Sequence, residues 1–201
     1  MVHSVNLRYR VVLAILCYGA DRCYRFLQSF YPEQLFDTKL YNNNILELKI
    51  SRPANMKYRP GDIVYLCIPC VSKLEWHPFS ISSSPHELTY FSVHIKIVTK
   101  GSAWTRKVLD MTVAYEAKKQ TGVRINPLVY IDGPLSTPNS SMLDQKHIVL
   151  AAQGIGGTPY ISLLRYLINT KNSKLETIHF IWSVRNPEAF SWCNDVLQKR
   201  Y

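Results

Sequence analysis

The sequence predicts a β + α/β fold: an antiparallel six-stranded barrel followed by the first half of a doubly wound parallel α/β domain. Three observations lead to it. Six short strand patterns separated by turns lie between Leu35 and Gly133, a count that suits a small closed barrel. Pro134–Asp144, rich in Ser, Pro and Asn, then reads as an exposed linker. Beyond it the apolar run His147–Ala152 enters a Gly-rich turn and an apolar helix, and a second apolar strand follows from Thr177, the order that begins a parallel sheet.

Near the N-terminus Val11–Ala20 is apolar but too short to span a bilayer, with Arg8 and Arg10 before it and Asp21, Arg22 and Arg25 after. No small-residue cleavage site marks a signal peptide. The barrel strands are expected at Thr38–Tyr41, Ile45–Ile50, Ile63–Ile68, Phe79–Ser82, Phe91–Val98 and Val129–Ile131, with Pro60-Gly61-Asp62 as the turn before the third. Ser92–Val98 alternates in period two, so Lys96 projects from its polar face. Gly101 permits a tight turn, and Thr105 is placed to cap a helix starting at Arg106. Thr112–Pro127 is polar and mixed, and reads as a helix end and a loop. His147–Ala152 and Thr177–Asn186 read as fully buried strands, and Pro187–Trp192 opens a helix running into the C-terminus.

The chain's 201 residues, 47% of them hydrophobic, are enough to bury a core in one or two domains. The net charge of +10 raises nucleic acid as a partner. The basic residues form no helical stripe and no known nucleic-acid module, so the expectation is no nucleic acid. Anionic dinucleotides and an anionic membrane surface account for the charge instead. Five cysteines at irregular spacings form no disulfide framework, and Cys67-Ile-Pro-Cys70 leaves a strand without a second pair for zinc. A reducing, cytosol-facing environment follows, and no metal site is expected.

The chemistry concentrates in five segments. Glu75-Trp76-His77-Pro78-Phe79-Ser80-Ile81-Ser82-Ser83-Ser84 sets rings beside hydroxyls: a ring face can stack on a flat cofactor, and hydroxyls and N–H groups can reach its polar edge. His94 and Lys96 with Gly101, Trp104 and Thr105 place a cation beside a helix start, a geometry for a diphosphate. Asp132-Gly133-Pro134 is a turn. Gly154-Ile155-Gly156, followed by Thr158-Pro159 at a helix start, lets a phosphate approach the backbone. Arg185 ends the last strand, where doubly wound sheets place ligands, and its guanidinium suits a phosphate.

Val71–Ser80 closely resembles the flavin-binding segment of the NADPH oxidase and ferric reductase superfamily, and the other four segments follow in that superfamily's order. There are departures: Lys96 stands for the usual Arg, Leu135-Ser136 for an aromatic and Gly, and Gln153 for a common Gly. The resemblance runs from about Leu35 to the end of the chain. It implies an FAD-binding barrel and a partial Rossmann-like NADPH-binding domain. The implied division is 1–34 for the end of a transmembrane helix and a juxtamembrane segment, 35–135 for the FAD-binding barrel, 136–146 for the linker and 147–201 for half of the nucleotide domain. It implies an enzyme passing a hydride from NADPH to FAD and electrons through a haem-containing transmembrane module to oxygen, giving superoxide. It thereby implies a membrane-associated module facing the cytosol. The implied FAD contacts are Trp76, His77, Pro78, Phe79, Ser80, His94, Lys96, Gly101, Trp104 and Thr105, and those for NADPH are Gly154, Ile155, Gly156, Thr158, Pro159 and Arg185. A ferric-chelate reductase module and a truncated, non-catalytic FAD-binding assembly partner are the alternative readings.

Overall fold

The computed structural model of the chain describes residues 2–28, 31–98, 103–122, 126–170 and 174–197. Helix α1, Val2–Gln28, contains no proline and a single glycine, Gly19, so nothing interrupts its 27 residues. Its large apolar side chains, among them Leu7, Val11, Leu13 and Leu16, are exposed. Among the described residues no helix is long and apolar enough to cross a membrane.

Six strands then form one antiparallel sheet: β1 Glu33–Tyr41, β2 Ile45–Ser51, β3 Ile63–Cys67, β4 His77–Ser80, β5 Tyr90–Lys96 and β6 Leu128–Leu135, in the order β4-β3-β6-β1-β2-β5. The two edges meet just past β4, where Ile81 bridges Val93 and the Ser82 N–H donates to the Ser92 carbonyl at 2.8 Å. Each expected strand is present, with β1 and β6 longer than the apolar pattern alone suggested, so that Asp132-Gly133-Pro134 lies within β6 and is not the turn read from the sequence. Alternation sends Leu46, Leu48 and Ile50 of β2, and Phe91, Val93 and Ile95 of β5, into a core shared with Leu35, Val64, Leu66 and Val129. Each such side chain contributes roughly 1.5–3 kcal/mol by leaving water.

Helix α2, Trp104–Gln120, closes one end of the barrel through Trp104, Val108, Thr112 and Tyr115, spaced as one helical face. It begins two residues before the position read from the sequence, with Ala103 as its cap. Thr105 is therefore inside the helix and is not its cap. Its hydroxyl accepts the Val98 N–H at 3.1 Å. The helix also continues through much of the stretch read as loop.

The second part pairs β7, His147–Gln153, with β8, Thr177–Ser183, in parallel from His147 opposite Thr177 to Gln153 opposite Ser183. A 3-10 turn, Gly154–Gly157, leads into α3, Thr158–Ile168, and another, Pro187–Cys193, into the short α4, Asn194–Leu197. The expectation of fully buried strands is corrected here. Both strands alternate, and Val149 and Ile181 are 68% and 65% exposed. Among the described residues α3 covers one face of the pair, and Ile148, Leu150, Ile178 and Phe180 meet it there. The stretch read as exposed linker forms a 3-10 helix, Pro138–Asp144, and seats Met142 and Leu143 on the same cluster.

Gly157 shows how tightly the turn is packed. A Cβ on it would stand 2.6 Å from the Trp182 ring, whereas Gly156 has nothing within 4 Å. Its φ of −70° is ordinary, so the demand for glycine is steric. Gly157→Ala is expected to cost about 1–3 kcal/mol in urea denaturation, the scale of an overpacked core, and Gly156→Ala much less. Equal midpoints for the two variants would refute this packing.

Candidate functional site

The aromatic segment splits across β4. His77 and Phe79 share one face and stack on Trp104, with ring centroids 4.2 and 5.9 Å away. Phe79 also packs against the barrel core. Pro78 and Ser80 take the opposite face, Pro78 exposed and Ser80 half-buried. Trp76 is 37% exposed. The His77 Nε2 lies 3.3 Å from a Glu75 carboxylate oxygen. Trp104 is buried, and its Nε1–H has no acceptor among the described residues. Gly101 lies outside the described residues.

The hydroxyl run after Ser80 has another use than the cofactor edge expected from the sequence. Ser82, Ser83 and Ser84 are buried. The Ser82 hydroxyl shares a hydrogen bond with that of Ser92 (2.8 Å) and lies 2.7 Å from His94 Nδ1. The Ser83 hydroxyl meets that of Tyr58 (2.9 Å) and accepts the Ser92 N–H (3.0 Å). The reason is the second domain, which lies against the outer face of β2 and β5. Ile45 of β2 packs with Ile161, Leu164 and Trp192. The Ser162 hydroxyl donates to the Ser83 carbonyl at 2.8 Å. The Arg165 guanidinium donates to the Ser82 carbonyl (2.9 Å), the Trp192 carbonyl (3.3 Å) and the Asp195 carboxylate (2.9 and 3.0 Å). Burial works against its charge, and Asp195 more than offsets that, so the group is held above its ordinary value.

His94 is caught in this interface. Its ring lies tilted against that of Trp192, centroids 4.3 Å apart, it sits opposite Glu47 of β2, and its Nε2 has no partner among the described residues. Burial first, then the charges of Arg165 and Lys49, push its pKa down to about 3. It is a neutral ring between domains and is not displayed on an open surface.

Four of the remaining residues, Lys96, Gly154, Ile155 and Arg185, line a cavity of about 460 Å³ at the C-terminal ends of β7 and β8. Gln153, Gly154, Ile155 and Arg185 line it from the second part, and Lys96 from the barrel. Gly154 adopts φ +54°, and a Cβ there, as at Gly156, would meet only open space. Partial burial and the Arg185 charge push the Lys96 ammonium below its ordinary value. Thr158 and Pro159 lie elsewhere. The Thr158 hydroxyl is buried and donates to the Ile155 carbonyl at 2.6 Å, and Pro159 approaches Gly61 of the barrel.

The comparisons with known proteins follow this division. The profile of the FAD-binding domain family matches residues 31–139, and that of the ferric reductase NAD binding domain matches 145–200. The chain belongs to the NADPH oxidase and ferric reductase superfamily. It is 34% identical to human NADPH oxidase 4 over 190 residues, 90% of this chain and 32% of that one. It is 31% identical to a superoxide-generating NADPH oxidase heavy chain of Dictyostelium discoideum, over 93% of this chain and 29% of that one. The chain thus spans about a third of the length of these relatives. In fold it is similar to a ferredoxin NADP+ reductase from Neisseria gonorrhoeae with bound FAD and NADP (TM-score 0.62, 19% identity, 84% of this chain and 62% of that one). It is also similar to phthalate dioxygenase reductase (TM-score 0.58, 16% identity, 79% and 45%). In this superfamily member the FAD-binding and NAD-binding parts are the barrel and the β7–β8 unit.

Arg165, Ser162 and Trp192 were not singled out from the sequence. Their only signal was local, a lone Arg on an apolar helix and a Trp in a short turn, and neither names a partner in the barrel. Two predictions come from this interface. Arg165→Met is expected to lower stability by about 2 kcal/mol, the scale of charged hydrogen bonds at a partly exposed carboxylate, whereas Arg106→Met, on the solvent-facing side of α2, leaves the urea midpoint nearly unchanged. Equal shifts would refute the interface role. For His94, the unfolded chain takes up the proton below about 6.5 and the folded chain only below about 3. Its contribution is therefore complete above pH 6.5 and is lost as pH falls towards 3. Urea midpoints across that window should decline less steeply in His94→Gln, and an unchanged slope would show the ring to be solvated.

Proposed function

We propose that this chain is the flavin dehydrogenase module of an NADPH oxidase-like membrane oxidoreductase, with residues 35–135 holding FAD and 147–201 contributing to the NADPH site. The observation that carries the reading is the order of parts. An FAD-binding barrel is followed directly by a ferric-reductase-type nucleotide unit, whose Gly154 turn and Arg185 open on one cavity facing the barrel. The residues fit both groups. The Trp104 N–H is a buried donor with no acceptor among the described residues, beside the His77 and Phe79 rings and near the exposed Pro78 and half-buried Ser80 of β4. Open space at Gly154 and Gly156 leaves room for a phosphate against the backbone. Bound FAD would supply the step from a hydride pair to single electrons. The chain's own part is to stack, orient and neutralise: rings at the flavin, backbone N–H groups and Arg185 at the nucleotide, and Arg165 holding the two halves in register. On this reading the electron acceptor is a haem-containing transmembrane module and the final transfer is to oxygen, with the dehydrogenase on the cytosolic side. The family relationship to NADPH oxidase 4 over 90% of the chain favours oxygen over a ferric chelate.

The purified chain is expected to bind FAD more tightly than FMN in a fluorescence titration, because the surface proposed is that of a dinucleotide. Anaerobic mixing of the FAD-loaded chain with NADPH should bleach the flavin absorbance, and NADH should do so more slowly. Equal affinities for FAD and FMN, with no bleaching by either nucleotide, would overturn the proposal.

A further inference from the structure

Two loops of the barrel are joined by one side chain. Arg52 follows β2, at the start of the connection to β3, and is half-buried. Its Nε and Nη2 both donate to the Met56 carbonyl, at 3.0 and 2.8 Å. Its Nη1 donates across to the Pro85 carbonyl at 2.8 Å and to the Glu87 carbonyl, both in the connection 81–89 between β4 and β5. The guanidinium also lies over the Tyr58 ring, 4.8 Å from its centroid. Tyr58 is buried and donates its O–H to the Ser84 carbonyl at 2.8 Å, so the Ser83 hydroxyl, 2.9 Å away, donates to the Tyr58 oxygen. Arg52 and Tyr58 thus hold residues 83–87 from one side.

The second part stands on the same connection. Helix α3 meets it through Ser162, Arg165 and Tyr166, spaced as one helical face. Ser162 and Arg165 donate to the carbonyls of Ser83 and Ser82, and Tyr166 stacks on His86 with centroids 5.0 Å apart. The His86 Nδ1 in turn lies 2.9 Å from the Ser84 hydroxyl. The helix begins at Thr158, directly after the Gly154–Gly157 turn, and the connection begins directly after Ser80 of β4. Residues 81–89 therefore seat the nucleotide helix and continue the strand proposed to face the flavin. Loops move more readily than the elements they join. A seat made of loop carbonyls needs holding, and a planar guanidinium with its fork of donors grips three carbonyls at once.

We propose that Arg52 is a positioning residue for hydride transfer from NADPH to FAD, acting through residues 81–89 on the placement of α3 and of the turn before it. The proposal rests on the dehydrogenase reading above. Arg52 is no part of the nucleotide cavity's lining nor of the His77–Phe79–Trp104 stack. A small misplacement of reacting groups slows transfer steeply, so loosening the seat lowers the rate and spares the grip on either cofactor.

The test uses the 201-residue chain at a temperature where every variant is folded. Arg52→Met is expected to lower the limiting rate of anaerobic flavin bleaching by NADPH about tenfold. FAD affinity, and the NADPH concentration giving half the limiting rate, should stay within about twofold of the parent. Arg52→Lys keeps the charge without the fork and should lose nearly as much. Tyr58→Phe removes one hydroxyl from the same hold, and as the milder variant it should act in the same direction. The Arg52→Met, Arg165→Met double variant should lose less than the product of the single losses, because both act on one seat. Hydrogen exchange of the chain without FAD gives a readout that needs no turnover: Arg52→Met should speed exchange in α3 as well as in residues 81–89. An unchanged limiting rate, or α3 exchanging as in the parent, overturns the proposal while the dehydrogenase reading stands. A loss of FAD affinity as large as the loss of rate overturns it as well, since Arg52 would then support the flavin surface alone. If the parent chain binds FAD and NADPH does not bleach it, the dehydrogenase reading falls and the proposal falls with it.

Discussion

The Arg165 guanidinium lies where three parts of the chain converge. It reaches back to the barrel at the Ser82 carbonyl, and forward to the Trp192 carbonyl and the Asp195 carboxylate. Ser82 is two residues past Ser80, at the edge of the proposed flavin surface, and Arg165 is on the helix that grows out of the nucleotide turn. One largely buried cation therefore ties the barrel to the second part through hydrogen bonds to both. Such a group stabilises only while every donor is met, and removing a partner from a buried charge costs more than the pair itself contributes. The Ser82–Ser92–His94 contacts and the Ile45–Trp192 packing continue the same interface on either side of it.

Much of the fold was legible because strands advertise themselves by period. Leu46, Leu48 and Ile50 alternate cleanly, and so do Phe91, Val93 and Ile95. What the pattern could not show is that the other face of the same strands is also covered. Ile45, Glu47, Ser92 and His94 are buried because a second domain lies on them, and a contact between residues far apart in sequence leaves no local trace. The converse holds for β7 and β8. Their unbroken apolar runs suggested burial on both sides, yet Val149 and Ile181 face outward.

The same distinction runs through the candidate site. Gly154 and Arg185 could be placed from the strand–turn–helix order, which is a local property. Ser82–Ser84 could not, because a hydroxyl reads alike whether it awaits a ligand or bonds its own chain. Thr105 and Thr158 are similar cases. Each stands beside a helix start, and each hydroxyl has a partner within the chain: that of Thr105 accepts the Val98 N–H, which leaves its O–H to donate, and that of Thr158 donates to the Ile155 carbonyl. Residue type is written in the sequence, whereas which polar groups remain uncommitted depends on tertiary partners.

Trp182 gives the nucleotide turn an optical handle. Its ring fills the space that Gly157 leaves, its Nε1–H donates to the Gly154 carbonyl at 2.8 Å, and Phe180, Phe190 and Trp192 surround it. The indole dipole is thus wired to the backbone oxygen of the residue that opens the turn. Any ligand that shifts Gly154 alters the electric field along that N–H bond and, with it, the colour of the tryptophan's emission. A change at the phosphate-sized space becomes visible as light without a label.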